Sequence, residues 1–274
     1  KLTQEIIKDL ENCITLAEVE DIYRPYKQKK RTRATIAKEK GLESLADAII
    51  KQDESIDINK YAEGYINKEK EVNSVEDAIN GALDIIAENI SDNPEYRKKI
   101  KKICYREGII NTKSAKDEKS NYEMYYDFQE KVNRIPSHRI LAINRGEKEE
   151  FLKVKIDKPE EKILELIQND IIKNNKSQYA ELLNNCIQDS FTRLIEPSID
   201  REIRADLTEK AEEQAISVFG KNAKQLLLIS PIKGKTVIGF DPAYRTGCKI
   251  AVIDETGKVL DYTTIYPTEP QNDI

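Results

Sequence analysis

Val237–Asp254 reads VIGFDPAYRTGCKIAVID. An apolar run ends at the acid Asp241, then Pro242, Tyr244, Arg245 and Gly247 interrupt it, and a second apolar run follows. In the wider window, KTVIGFD, KIAVID and VLDYTTIYP are three β-rich runs, separated by Arg245–Gly247 and Glu255–Gly257. DETGK is a strong hairpin signal. The reading is an antiparallel three-strand meander over 235–266, with a domain boundary near Lys233. Asp241 stands at the end of a hydrophobic strand, a position used in metal-dependent phosphoryl chemistry. That chemistry needs two or more carboxylates converging on two metal ions. Asp254 opens the DETG turn and reads as a turn residue. On the residues alone, Asp241 is a structural acid, and no catalytic residue, metal ligand or cofactor is assigned.

Upstream the period changes from two to between three and four. Helices are predicted over Thr3–Ile22 with Thr3 as cap, Ala34–Lys40, and Leu42–Ile50 beyond the stop signal Gly41. Further helices are predicted over Val75–Asn89 capped by Ser74, Pro94–Tyr105 closed by Gly108, and Tyr122–Val132. SHRILAINRGEKEEFLKVKID alternates on both sides of Arg145–Gly146, which predicts a small β-hairpin around 139–156. Glu160–Lys173, Ser177–Ile195 and Ile199–Phe219 return to helical spacing. Pro197 is read as an interruption, Gly220 as a stop, and Asn222–Leu228 as a last helical segment. The fold class is mainly α: an elongated multi-helix scaffold over 1–232 with that hairpin, followed by the meander in 233–274.

With 274 residues, 35% of them charged and 39% hydrophobic, the chain has room for one large domain or two ordinary ones. No stretch approaches the roughly 18 unbroken apolar residues of a membrane span. The opening KLTQEIIKDL lacks the apolar run of a signal peptide. The first residue is not Met and the last ones follow a strand, so the sequence reads as an excised piece of a longer protein. Cys13, Cys104, Cys186 and Cys248 are widely spaced, which predicts reduced thiols of a cytoplasmic protein rather than zinc ligands or disulfides. The single histidine, His138, reads as structural.

The net charge of −5 exerts no general attraction for nucleic acid, but its distribution is uneven. Arg24, Lys27, Lys29, Lys30, Arg31 and Arg33 form six cations without an acid, interleaved with Tyr26 and preceded by Tyr23. Cations neutralise phosphates and aromatics stack on bases, so this connector is the candidate nucleic-acid contact; a solvated, locally paired loop is the competing reading. EYRKKIKKICYREG carries a second acid-free run of six cations from Arg97 to Arg106, but apolar residues alternate with its lysines as on an ordinary surface helix. Arg193, Arg201 and Arg204 are expected to pair locally with Glu196, Asp200 and Glu202. The tyrosine-rich NYEMYYDF is expected to pack, with partner docking as the alternative.

Four stretches occur in one order: EDIYRPYKQKKRTRATIAKEKGLESLAD, SHRILAINRGEKEEFLKV, FTRLIEPSIDREIRADLTEKAEEQAI and the segment from FGKNAKQLLLIS through VLDYTTIYP. Together they resemble the Tex family of bacterial transcription accessory proteins. The resemblance implies a helical scaffold with a helix-turn-helix-like part, and an RNase H-like domain of the YqgF type, of which 233–274 would be the first three strands. It further implies helix-hairpin-helix repeats and an RNA-binding OB-fold beyond this chain. The implied role is a non-catalytic nucleic-acid-binding scaffold, contacting RNA or DNA without sequence preference, with RNA polymerase as a further partner. Asp241 matches the first carboxylate position of RNase H-like folds, which leaves part of a metal-dependent nuclease or resolvase as the alternative. A protein-docking scaffold is the third reading. The family pattern DPG, an aromatic or aliphatic residue, then RTG reads here DPAYRTG. Ala243 replaces the glycine that would permit positive φ or close backbone approach.

Overall fold

The computed structural model describes residues 3–13, 19, 22–23, 31–230 and 232–269. Local sequence sets most helix starts. Helix α1 is Gln4–Glu11, and the Ile6 amide donates to Thr3 Oγ1 at 3.4 Å. The predicted extension toward Ile22 falls largely outside the described residues. Thr32 accepts from the Thr35 amide and starts α2, Arg33–Glu39; α3 is Glu43–Lys51. Asp57 caps α4, Ile58–Glu63. Ser74 Oγ accepts from the Asp77 amide at 3.0 Å to start α5, Val75–Asp92, while Asp77 Oδ2 accepts back from the Asn73 amide at 3.1 Å. Asn93 caps α6, Pro94–Glu107, whose first-turn proline lacks only an amide hydrogen that the helix would leave unpaired.

Helix α5 is the organising element. Its buried face, Ala78, Ala82, Ile85, Ile86 and Ile90, packs against α2, α3 and α9, the last spanning Gln178–Asp189. Small alanines on this face let the helices approach, and each fully buried isoleucine contributes about 1.5–3 kcal/mol.

Strands β1 (Ile109–Ser114), β2 (Asp127–Lys131) and β3 (Leu152–Asp157) form an antiparallel sheet in the order β2-β1-β3. This corrects the predicted helix over Tyr122–Val132: Glu123–Tyr125 is a single 3-10 turn and Asp127–Lys131 is strand β2. It also corrects the hairpin around 139–156. Ser137–Lys148 is helix α7, and only β3 is extended. The small β element exists, but its strands come from three separate segments. Gly146 misled the reading. It sits inside α7 because the sheet passes close: an added Cβ would lie 2.7 Å from Leu152 Cδ1 and 3.1 Å from Tyr122 Cδ1. The glycine serves packing, not a turn.

Helix α8 is Glu160–Ile171. After α9 the chain runs through a π-helical stretch, Ser190–Ile195, into α10, Glu196–Leu227. Pro197 and Gly220 therefore do not break the helix. Pro197 has no amide to return to the preceding turn, and the wider π turn just before it accommodates that loss, with the Glu196 amide reaching back to Phe191 O. Around Gly220 there is open space, so nothing opposes continued helix.

Contacts divide the chain into unit 1, residues 1–215, and unit 2, residues 216–274. Unit 2 holds the end of α10 and a second antiparallel sheet, β4 (Val237–Asp241), β5 (Cys248–Ile253) and β6 (Val259–Ile265), in the order β4-β5-β6. This is the expected meander, and the chain is mainly α as its spacing predicted. No helix among the described residues is long and apolar enough to cross a membrane.

Candidate nucleic-acid interface

Of the predicted contact residues, Arg24, Lys27, Lys29 and Lys30 lie outside the described residues. Arg31 and Arg33 bracket the start of α2 and are exposed. The Arg31 guanidinium donates to Glu39 at 2.9 Å; both side chains are more than half exposed, at 69% and 54%, so this pair is weakly bound and open to competition by another anion. Arg33 acts on Asp84. Burial holds the Asp84 carboxyl above its usual range, and Arg193 and Arg33 pull it back only in part.

The second basic cluster is divided by the fold. Arg97 is completely buried, donating to Ser198 and Glu202. Lys101 pairs with Asp206 at 3.0 Å. Lys98, Lys99, Lys102 and Arg106 line the solvent side of α6, opposite Tyr96, Ile100 and Cys104, as an amphipathic surface helix would place them.

Arg193 and Arg204 do have structural roles, but not with the expected partners. Arg193 bonds Asp189 and, across to α5, Asp84 at 3.0 Å. Arg204 forks onto Glu147 of α7 at 2.8 and 2.5 Å. Glu202 belongs to Arg97, while Glu196 and Asp200 hold the buried Lys158 at 3.0 and 2.7 Å. Burial opposes the Lys158 charge, yet its two carboxylates outweigh it and leave its pKa raised. Arg201 is exposed. Lys155, Arg201 and Arg204 share an open groove of about 650 Å³ with Glu147, Glu209 and Glu212, so the cations there face acids of the same groove.

In unit 2, Asp241 is exposed at the end of β4, in register with Lys249 of β5. Asp254 is the turn residue expected: it accepts from Thr256 Oγ1 at 2.7 Å and from the Thr256 and Lys258 amides at 2.8 and 3.0 Å. Gly247 has φ +76°, a conformation that favours glycine, and an added Cβ would meet Thr264 and Tyr266 at 2.6 Å. Ala243 needs no such freedom: among the described residues, the non-glycine ones with positive φ are Gln52, Glu71 and Glu150. Among the described residues there is no group of three or more His, Cys, Asp or Glu placed to hold a metal ion.

His138 lies in the first turn of α7 and is exposed. Tyr122 and Tyr125 are buried, against Phe151 and Phe128 at 5.9 and 5.4 Å between ring centroids, so the tyrosine cluster packs rather than docks. Cys104, Cys186 and Cys248 are buried free thiols, and burial pushes those of Cys104 and Cys186 up to about 12, far from reactive thiolate character.

Comparison with known proteins places these two units. Residues 53–219 match the family model described as Tex central region-like, and residues 235–274 match that of the Tex protein YqgF-like domain. The chain is 51% identical over 99% of its length to YdcI of Bacillus subtilis, covering 38% of that protein. It is 36% identical over 100% of its length to Protein tex of Bordetella pertussis, covering 36% of it. It is 33% identical over 97% of its length to the human S1 RNA-binding domain-containing protein 1, covering 28% of it. The chain thus spans a little over a third of the bacterial relatives' length. With a central-region match that extends over more than half of its residues, and the YqgF-like match following it, the chain belongs to the Tex family.

Proposed function

We propose that this chain is the nucleic-acid-binding scaffold region of a Tex-type transcription accessory factor, acting in binding rather than catalysis. Residues 1–232 form the scaffold, and 233–274 begin the YqgF-type domain. The observation that carries the reading is the acid-free connector Arg24, Lys27, Lys29, Lys30, Arg31 and Arg33. Its two described members are solvent-exposed, and the Arg31–Glu39 ion pair is exposed as well. A phosphate can replace such a partner at little cost. The names of two relatives, Protein tex and S1 RNA-binding domain-containing protein 1, agree with a nucleic-acid partner. RNA polymerase and a cytoplasmic location belong to the same proposal.

The nuclease alternative needs further carboxylates to converge on Asp241. Metal-dependent cleavage of labelled DNA or RNA by the full-length protein, abolished by Asp241→Asn, would establish it over the scaffold reading.

The primary test is fluorescence-anisotropy binding to single- and double-stranded DNA and RNA across a salt titration. Contact with six phosphates gives a log–log slope of about −4 to −5. A variant neutralised at Lys27, Lys29, Lys30, Arg31 and Arg33 should lose most of that slope. Unchanged slope and affinity would remove the connector as the contact element.

A further inference from the structure

We propose that the solvent face of the β2-β1-β3 sheet is a second phosphate-contact surface, for a single strand of nucleic acid, centred on Lys113, Lys153 and Lys155. It rests on the nucleic-acid reading above and adds a site that is independent of the connector.

Pairing register arranges this face in three rows: Asp127, Lys113, Lys153; Gln129, Asn111, Lys155; and Lys131, Ile109, Asp157. The opposite face carries Ile110, Thr112, Leu152 and Ile156, all buried. Lys113 and Lys153 are direct cross-strand partners, about 5 Å apart at Cα. Like charges in that relation destabilise a sheet, and Asp127 on the other flank offsets this only in part. Lysines are common protectors of edge strands, which accounts for Lys153 and Lys155 on β3. Lys113 is on the central strand, where there is no edge to protect.

The fold treats these cations differently from those it uses. Lys158, one residue beyond β3, is 2% exposed and held by two carboxylates. Among the described residues Lys113 and Lys153 have no ion pair, and Lys155 has only a loose one, 3.9 Å from Asp157 with its side chain 70% exposed. A cluster in which two lysines lack an ion pair and repel each other is complementary to a polyanion.

The geometry selects the occupant. Lys153 and Lys155 are about 7 Å apart along one strand. Together with Lys113 they make a compact run on flexible four-carbon stems, suited to neighbouring phosphates of one strand rather than to two strands across a groove about 12 Å wide. The face offers the Gln129 amide, while the Asn111 amide is engaged with Asp157 at 3.1 Å, and it carries no aromatic ring. Contacts are therefore to the backbone, without base stacking, and independent of sequence.

The test compares the unmodified chain, a Lys113→Gln/Lys153→Gln/Lys155→Gln variant, the corresponding triple Lys→Arg variant, and the connector variant. Anisotropy is read against salt with a single strand and a duplex of equal length; circular dichroism verifies folding. The Gln variant should keep its fold and flatten the single-strand log–log slope by about 2, three phosphates at about 0.7 each. The Arg variant should restore it. If the unmodified chain binds, the connector variant loses binding and the Gln variant does not, the sheet surface is refuted while the nucleic-acid reading stands. Equal losses on duplex and single strand refute the single-strand assignment. No binding by the unmodified chain at low salt refutes both readings.

Discussion

In the β2-β1-β3 sheet, Ile110, Leu152 and Ile156 are 3%, 2% and 1% exposed, whereas in β4-β5-β6, Ile238, Phe240 and Tyr262 are 66%, 55% and 80% exposed. Both sheets have three antiparallel strands of five to seven residues. What differs is cover. Ile110 and Ile156 of the first sheet line one small internal space with Ile140 and Ile143 of α7 and Leu207 of α10. In unit 2 the described core contains only Cys248, and apolar side chains at the end of α10, such as Phe219 and Leu227, are 74% and 85% exposed. Polar bonds follow the same division. Unit 1 is tied by distant pairs, Tyr105–Asp206 at 2.9 Å and Arg193–Asp84 at 3.0 Å among them. Unit 2 has local ones, such as Asp254–Thr256. Strand sequence makes a sheet; only another element supplied from a distance makes it a core.

Arg97 puts this contrast to its severest test. Truncation by Arg97→Ala leaves Glu202 without its buried partner and should cost about 3–5 kcal/mol in denaturant unfolding. Phe240→Ser on the uncovered sheet should change stability by less than about 0.5 kcal/mol. Similar costs for the two would erase the distinction between the units.

Two glycines sharpen it at intermediate scale. Gly146→Ala forces a methyl against Leu152 and Tyr122 and should destabilise by about 1–3 kcal/mol. Gly220→Ala meets nothing within 4 Å and should stabilise the helix by about 0.5–1 kcal/mol. A destabilising Gly220→Ala would mean that this part of α10 is not open helix in solution.

The smallest effect is local and depends on pH. Hydrogen bonds from the Thr256 hydroxyl, then from the Thr256 and Lys258 amides, hold the Asp254 carboxyl below its usual range. A depressed folded pKa means that the turn's contribution is present above the unfolded value of about 3.9 and is lost as pH falls through the lower folded value. The Thr256 and Lys258 amide resonances should titrate in that acid window in the natural chain and not in Asp254→Asn. Resonances of unit 1 that titrate with Asp254 would show that the turn is not a local device.

Reading the chain without its structure succeeded where the cause is local. Ser74, Asn93 and the DETGK turn act within four residues of themselves, so their side chains announce the elements they start or join. It failed at Arg145–Gly146 and at Tyr122–Val132, where a glycine needed for packing imitated a turn and strand residues interleaved with tyrosines imitated a helix. The connector could be found because its six cations are contiguous. Lys113 and Lys153 could not, being 40 residues apart and neighbours only through the β1–β3 register.

From periodicity and capping residues follow the mainly α class and the C-terminal meander, and from four stretches in one order the family likeness, because each depends on residue type and short-range order. Which apolar face is covered, which arginine meets which acid, that Arg97 is buried while Lys98 is not, and that three lysines share one sheet face depend on contacts between residues far apart in the chain. Chain folding brings those partners together, and no local pattern encodes their distance.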